Sequence, residues 1–418
     1  MADLCGRRRR RKYRQISGER VAYLPQLPTE VMSDLLSRLP MVSILRCKTV
    51  CKVWFGLIRD PYFANLQLSR SNNQPPQVII DPDDVETKQG VIKSLYLLDP
   101  EECKARAIPE ILLEDAFAKR SLGLKVMCSF NGLLCLAPEK DLHPVVIYNP
   151  ITKEYRVLPK TKATTNTIVE FHQIGLGFDP STNKYKVVRI YNGRDEGGCR
   201  LASACEVITS GEISWRKIVV LADTDRVLFS GSQGPVVHNG SIYWTIVRTC
   251  HPFDGELILR FDIRKEVFQA ICFYPYIKAP PDQCRYRARN LQLQILGRGL
   301  FLLDHDGEFL HSWSLTLLDS VDGTMFRYNN SVKMKFPKRG WHWYFQSFVC
   351  MPSPGKFLLE RVESEKAGSH HQDLKLVYYS SEHGKFLKLK VSGLPVWYRS
   401  RCFKPSLLPV EGVFPTHL

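Results

Sequence analysis

Asn131-Gly132-Leu133-Leu134-Cys135, followed by Val146-Ile147-Tyr148-Asn149-Pro150-Ile151-Thr152, reads as a turn glycine, an apolar strand, and a second strand closed by its own turn. The phrase returns along the chain. Asn239-Gly240-Ser241-Ile242-Tyr243-Trp244 precedes Leu259-Arg260-Phe261-Asp262-Ile263, and Gly297-Arg298-Gly299-Leu300-Phe301-Leu302 precedes Leu310-His311-Ser312-Trp313-Ser314. Pro354-Gly355-Lys356-Phe357-Leu358 precedes Val377-Tyr378-Tyr379-Ser380. A further unit runs from Gly177-Phe178-Asp179-Pro180 through Tyr185-Lys186-Val187-Val188 to Cys205-Glu206-Val207-Ile208 and Trp215.

The units recur at roughly 50 to 60 residues, the range of kelch-like propeller blades with insertions. A lone blade has two bare faces, and closing a ring of blades buries both and leaves no long open edge. The expected fold is therefore mainly β, with a β-propeller-like domain of about six blades over residues 77–410. A large β-sandwich is the alternative, because the paired glycines of the kelch repeat are mostly missing. Helical periods are scarce here; one short helix is expected within 109–119.

Upstream the pattern changes. From Thr29 to Leu39 the apolar residues Met32, Leu35, Leu36 and Leu39 recur at the helical period, between Pro28 and Pro40. A short second helix is expected over Val42–Cys47. Val50, Val53, Trp54, Leu57 and Ile58 mark a third, which Asp60-Pro61 stops. Three helices in about 40 residues bury too little surface to stand alone, so such a unit suits a docking module with apolar side chains outside. The expected boundaries are a basic tail over 1–22, the helical module over 23–68, a linker over 69–76 and a short tail over 411–418.

Bulk composition excludes several classes. The 418 residues carry 58 Lys and Arg against 42 Asp and Glu, a formal charge of +16. Part of that excess sits in the unbroken basic run Arg7 to Lys12, read as a solvated tail or a nuclear-import signal. No apolar stretch approaches the roughly 18 residues of a membrane span, and no signal-peptide h-region is visible, so nucleus and cytoplasm are the expected compartments. Thirteen cysteines without a C-x-x-C pair argue against a disulfide scaffold or a zinc site. Gly175-x-Gly177 and Gly297-x-Gly299 lack the third glycine and following helix of a dinucleotide fingerprint. Asp81-Pro82-Asp83-Asp84 lacks the glycine and bidentate glutamate of a calcium loop. No catalytic residue, metal ligand or cofactor site is expected.

Two resemblances sharpen this reading. Leu27-Pro28-Thr29-Glu30-Val31, Leu35-Leu36-Ser37-Arg38-Leu39-Pro40, Ser43-Ile44-Leu45-Arg46 and Val50-Cys51-Lys52-Val53-Trp54 resemble an F-box, with Val42 where plant-type F-boxes more often carry lysine. The resemblance implies that Leu27, Pro28, Leu36, Leu39, Pro40, Leu45 and Trp54 form the surface for a Skp-type adaptor or its immediate support. Tyr148-Asn149-Pro150-Ile151-Thr152-Lys153 and the run from Gly175 to Val188, with the turn phrases at Asn131 and Asn239, resemble the F-box-associated domain of the plant F-box family. Together they imply the substrate-recognition subunit of an SCF-type cullin–RING E3 ubiquitin ligase. Its partners would be the adaptor, through it the cullin and RING subunits, and a target protein. The alternative is a basic nucleic-acid-binding β-propeller without a ligase role.

For the target, the arginine- and aromatic-rich stretches stand out, since Arg, Trp and Tyr are enriched among binding hot spots. They are Arg285, Tyr286, Arg287 and Arg289, after the loop signal Ala279-Pro280-Pro281, and Trp341 and Trp343, after Lys338-Arg339-Gly340. The competing reading has the tryptophans filling space between blades.

Overall fold

The computed structural model describes residues 27–83, 95–108, 123–139, 141–161, 168–194, 204–218, 227–229, 234–248, 255–272, 291–305, 309–320, 323–335, 343–364, 372–391, 394–395 and 397–410. The chain opens with α1 (Thr29–Ser37), α2 (Met41–Cys47), α3 (Lys52–Arg59) and α4 (Pro61–Ser71). Pro28 and Pro40 stand at the N-caps of α1 and α2, where a missing N–H leaves no helical bond unmade.

The helical module has four helices, not the expected three. Asp60-Pro61 does stop α3, but it also starts α4. The Asp60 carboxylate accepts a hydrogen bond from Tyr62 N at 2.7 Å, and Pro61 takes the first helical turn. Residues 69–71 of the expected linker are thus the last turn of α4. Arg70 ties that helix to α1 by donating to the Asp34 carbonyl at 3.1 Å and pairing with its carboxylate.

The remainder is a ring of six sheets, each an antiparallel up-and-down meander. The sheets are separate, which settles the choice between propeller and sandwich. Blade one holds Gln77–Pro82, Tyr96–Asp99 and Lys104–Ala107; blade two holds Leu124–Phe130, Leu133–Pro138, Val146–Asn149 and Glu154–Val157. Blade three holds Ile168–Asp179, Lys184–Arg194, Ala204–Thr209 and Arg216–Ile218. In blade four the first strand is broken into Val227–Phe229 and Val236–His238, both paired with Ser241–Arg248, and Gly255–Asp262 and Val267–Cys272 follow. Blade five holds Gln292–Leu296, Gly299–His305, Phe309–Ser320 and Gly323–Lys335; blade six holds Trp343–Ser353, Lys356–Ser364, Gln372–Ser380 and Lys385–Lys388. The last strand, Tyr398–Phe403, returns to blade one and pairs along Gln77–Pro82, closing the ring.

Inner strands expose a row of backbone groups that no neighbouring strand satisfies. Side chains from the preceding blade reach some of them. Asp81 of blade one accepts from Val126 N of blade two at 2.9 Å, and Gln292 of blade five accepts from Phe348 N of blade six at 2.8 Å. Glu360 of blade six accepts from Ser400 N, on the closing strand, at 2.9 Å. Close packing also explains Gly175-x-Gly177. A Cβ on Gly175 would meet Trp244 and Ile242 of blade four at 2.8 and 2.9 Å, so small residues let the blades approach. Those glycines serve packing, not phosphate binding.

Gly234 lies between the two pieces of the broken strand of blade four. A Cβ there would stand 2.3 Å from the Met127 carbonyl of blade two and 2.6 Å from Arg401 Nη1 of the closing strand. At Gly234 the backbone of blade four therefore comes against blades one and two.

Burial raises the pKa of Glu360, opposed by hydrogen bonds from Ser347 and Ser400. A carboxyl with a raised folded pKa keeps its full contribution below the unfolded value and loses it as pH rises through the folded value. Glu360→Gln keeps an acceptor for Ser400 N without an ionisable group. Its thermal midpoint relative to wild type is expected to rise from about pH 4 to about pH 7. Glu360→Ala leaves the closing strand's N–H buried and unpaired, and is expected to lose about 1 to 3 kcal/mol at both pH values. Parallel pH profiles for wild type and the glutamine variant would refute this.

Candidate functional site

The four helices have two apolar sides. Leu36, Ile44, Leu57, Ile58, Phe63, Ala64 and Leu68 point inward and are buried. On the outside, Leu27, Val31, Leu35, Leu39, Val42, Val50, Val53, Phe55 and Tyr62 are exposed, Val53 to 72%. Helical repeat sets both rows on α1: Val31 and Leu35 lie one turn apart facing out, and Met32 and Leu36 one turn apart facing in. Lys48 and Arg59 lie 5.8 and 5.4 Å from the Phe55 ring centroid, so the outer face mixes apolar area with cations.

Of the adaptor candidates, Leu27, Pro28, Leu39 and Pro40 are exposed on this face. Leu45 and Trp54 are half-buried against the inner cluster. Leu36 is only 4% exposed, so it belongs to the support and not to the contact surface. Val31, Leu35, Val42, Val50, Val53, Phe55 and Tyr62 are surface residues that pattern reading missed. A periodic apolar stripe marks a helix but does not tell which of its rows will face a partner.

The helices are held to the propeller by the segment after the closing strand. Lys404 Nζ donates to the carbonyls of Asn72 and Gln74 at 2.6 and 3.1 Å, and Ser71 Oγ donates to Pro405 O at 2.8 Å. Ser406 Oγ reaches Asn131 O at 2.7 Å, while Asn149 Nδ2 donates to Ser406 O and Leu408 O at 3.1 and 2.8 Å. Val410 N donates to Glu154 Oε2 at 2.9 Å. Leu407, Leu408 and Val410 join the inner helical cluster to the apolar interface of blades two and three as one continuous core.

Blade geometry fixes what lies on the other side. Blades two to six each begin on the inner strand and comprise four strand positions, so the chain leaves a blade at the end where it started. Crossings between blades therefore share one face, and the first and last hairpins of each blade share the other. Asn131, in the first hairpin of blade two, bonds the strap at Ser406, so the hairpin face carries the helices. The strand ends Cys272, Gln292, Lys335 and Trp343 lie on the opposite face. Arg285, Tyr286, Arg287, Arg289 and Trp341 fall outside the described residues. Trp343 opens its strand in blade six.

Near that opposite face the chain is pinned by a buried ion pair. Arg189 is fully buried, pairs with Glu206 at 2.6 Å, donates to Leu142 O and stacks 4.5 Å over Trp215. Thr161 N donates to His143 Nε2 at 3.0 Å, and burial with the Arg189 charge pushes His143 down to about 4. These contacts tie Leu142, His143 and Thr161 of blade two to blade three. Among the described residues, no group of three or more His, Cys, Asp or Glu is placed to hold a metal ion. No helix among them is long and apolar enough to cross a membrane.

Comparison with known proteins agrees with this architecture. An F-box-like family model matches residues 24–64, and the F-box associated beta propeller domain matches residues 108–288. The chain is an F-box protein with an F-box-associated β-propeller domain. The F-box protein At5g49610 of Arabidopsis thaliana is 28% identical over 91% of this chain and 97% of its own length. The F-box protein CPR1 of the same plant is 24% identical over 91% of this chain and 88% of its own. Among solved structures, the beta-propeller domain of the Trilobed protease from Pyrococcus furiosus aligns with 8% identity and a TM-score of 0.31. That alignment covers 76% of this chain and 98% of the other, and carries no argument about function.

The strap makes a prediction about this F-box protein. Asn149→Ala removes both donors to the strap and the acceptor that caps Ile151 N at 2.9 Å. It is expected to cost about 1 to 3 kcal/mol and to lower the thermal transition of helices and strands together. Far-ultraviolet circular dichroism resolves the two signals. Helical loss at an unchanged strand transition would mean the strap does not couple them.

Proposed function

We propose that this F-box protein is the substrate-recognition subunit of an SCF-type cullin–RING ubiquitin ligase. It docks a Skp-type adaptor through the F-box and a target protein through the propeller. The observation that carries the reading is the outer face of the helices. A module of this size displaying that much apolar surface, while its inner face is anchored to a second domain, is built to be covered by a partner. The face of the ring opposite the helices is the one left to receive a target, and loops on a rigid scaffold are the usual bearers of recognition.

The chemistry assigned to this chain is positional. Holding a target and a ubiquitin-charged enzyme in one assembly converts a bimolecular encounter into a high effective concentration. The strap supports that role by fixing the spacing between adaptor end and target end. In this reading the catalytic residues belong to other subunits.

Leu39→Ala/Pro40→Ala is expected to abolish binding to a purified Skp-type adaptor while leaving the thermal midpoint near wild type, since both residues are exposed. Leu36→Ala acts differently, lowering stability by about 2 to 5 kcal/mol through the inner core. Wild-type adaptor affinity in the double variant would remove the F-box surface from the model.

Target capture is assigned to the Arg285 and Trp341 stretches, with the basic one suited to an acidic target surface. Replacing Arg285, Arg287 and Arg289 by alanine is expected to deplete the proteins that co-purify with the full chain, with adaptor binding unchanged. If this variant and Trp341→Ala both retain the wild-type set, recognition lies elsewhere on the ring.

A further inference from the structure

Outside the F-box, the exposed large apolar side chains among the described residues are Ile213, Val267, Ile295 and Leu387. The first three gather on neighbouring blades. Ile213, 70% exposed, lies in the last hairpin of blade three, and Val267 directly follows the last hairpin of blade four. Ile295 lies just before the first hairpin of blade five. All are on or beside the hairpin face, the side that carries the helices.

The same hairpins are basic, for a reason that can be followed residue by residue. Their acids are engaged within the fold. Asp179 accepts from Ser181 and pairs with Lys186 at 3.5 Å, and Asp262 accepts from the turn N–H groups of Arg264 and Lys265. Glu266 pairs with Lys186 at 2.8 Å and with both ends of the Arg216 guanidinium at 2.5 Å, while Glu212 accepts from Thr209 N and Arg216. Lys184, Lys217, Arg264, Lys265 and Arg298 are exposed, and none makes an ion pair among the described residues. Among the described residues the arc thus presents five unpaired cations interleaved with apolar side chains, while its four carboxylates are turned to partners within the fold.

We propose that this arc of blades three to five is a second docking surface, for an acidic face of the adaptor held by the F-box. The proposal rests on the ligase reading above. An acidic protein surface suits the arc better than nucleic acid, because Ile213, Val267 and Ile295 offer apolar contact, while Trp215, the aromatic residue of the last hairpin of blade three, is buried and gives no base-stacking platform. Placement supplies the rest: the arc lies on the face that carries the helices, so an adaptor on the F-box is within its field. Charge complementarity at such a rim steers encounter and fixes orientation more than it adds affinity.

The test uses the full chain and a purified Skp-type adaptor. Lys184→Glu/Arg264→Glu/Lys265→Glu/Arg298→Glu changes only exposed groups, and its thermal midpoint confirms folding. At low salt the variant is expected to bind the adaptor about tenfold more weakly, mainly through a slower association rate. The gap closes as salt rises, because exposed charges are screened beyond a Debye length of about 10 Å at 0.1 M. A charge-neutral Ile213→Ser/Val267→Thr variant is expected to weaken binding by a salt-independent factor. Equal affinity and equal salt dependence in wild type and the charge variant would overturn the proposal while leaving the F-box reading intact. Failure of wild type itself to bind the adaptor would remove that reading instead. Wild-type binding to single-stranded poly(U) that the charge variant loses, with adaptor affinity unchanged, would assign the arc to nucleic acid and overturn the proposal in another way.

Discussion

Tyr398–Phe403 lies along Gln77–Pro82, so the last strand of the chain completes the first blade. Everything else depends on that pairing. Without it the inner edge of Gln77–Pro82 would be left unpaired and its backbone groups exposed. Because the pairing joins residues from opposite ends of the sequence, closure comes with a high cost in chain entropy, offset only when all six blades are in place. Glu360 and Asp81 extend the seam by reaching from one blade to the backbone of the next.

The same closure governs the F-box. As the closing strand ends, Lys404 turns onto the carbonyls at the end of α4 and Ser406 onto the first hairpin of blade two. The segment from Lys404 to Val410 is thus both the tail of the ring and the seat of the helices. A helical module too small to bury its own surface borrows a floor from the β domain. Its inner core is shared, and its outer face is left free for contact.

Much of this was legible in the sequence. Turn glycines followed by apolar strands marked the blades, because each blade needs the same alternation of tight turn and buried strand. The first three helices were legible from apolar period and flanking prolines. The fourth was not, because Asp60-Pro61 reads as the stop signal of α3, although an aspartate before a proline is also a start signal. Its buried face, which includes Gln67 and Ser71, gives a weak apolar stripe. The resemblance names Leu36 with the adaptor surface or its support, and only burial tells which of the two it is, because periodicity does not separate the inner row of a helix from the outer. Nor does the strap have a pattern to read: Lys404-Pro405-Ser406-Leu407-Leu408-Pro409-Val410 has neither helical nor strand period, and its role appears only when the ring is closed. The basic arc was likewise hidden, since counting charges does not show which acids the fold has already engaged.

Placing every crossing between blades on one face divides the labour of sequence change. Hairpins on the helical side are short, and several are bonded to the strap or to one another, so their lengths are constrained by the seat they form. Among the described residues, no far-side connection bonds the strap, although Asp83 and Glu139 pair with Arg399 of the closing strand. Change on that side therefore leaves the seat of the helices untouched, which makes the scaffold more permissive there than on the helical side. Relatives with this architecture should therefore differ most in those far-face connections, and new recognition can arise there without a new fold.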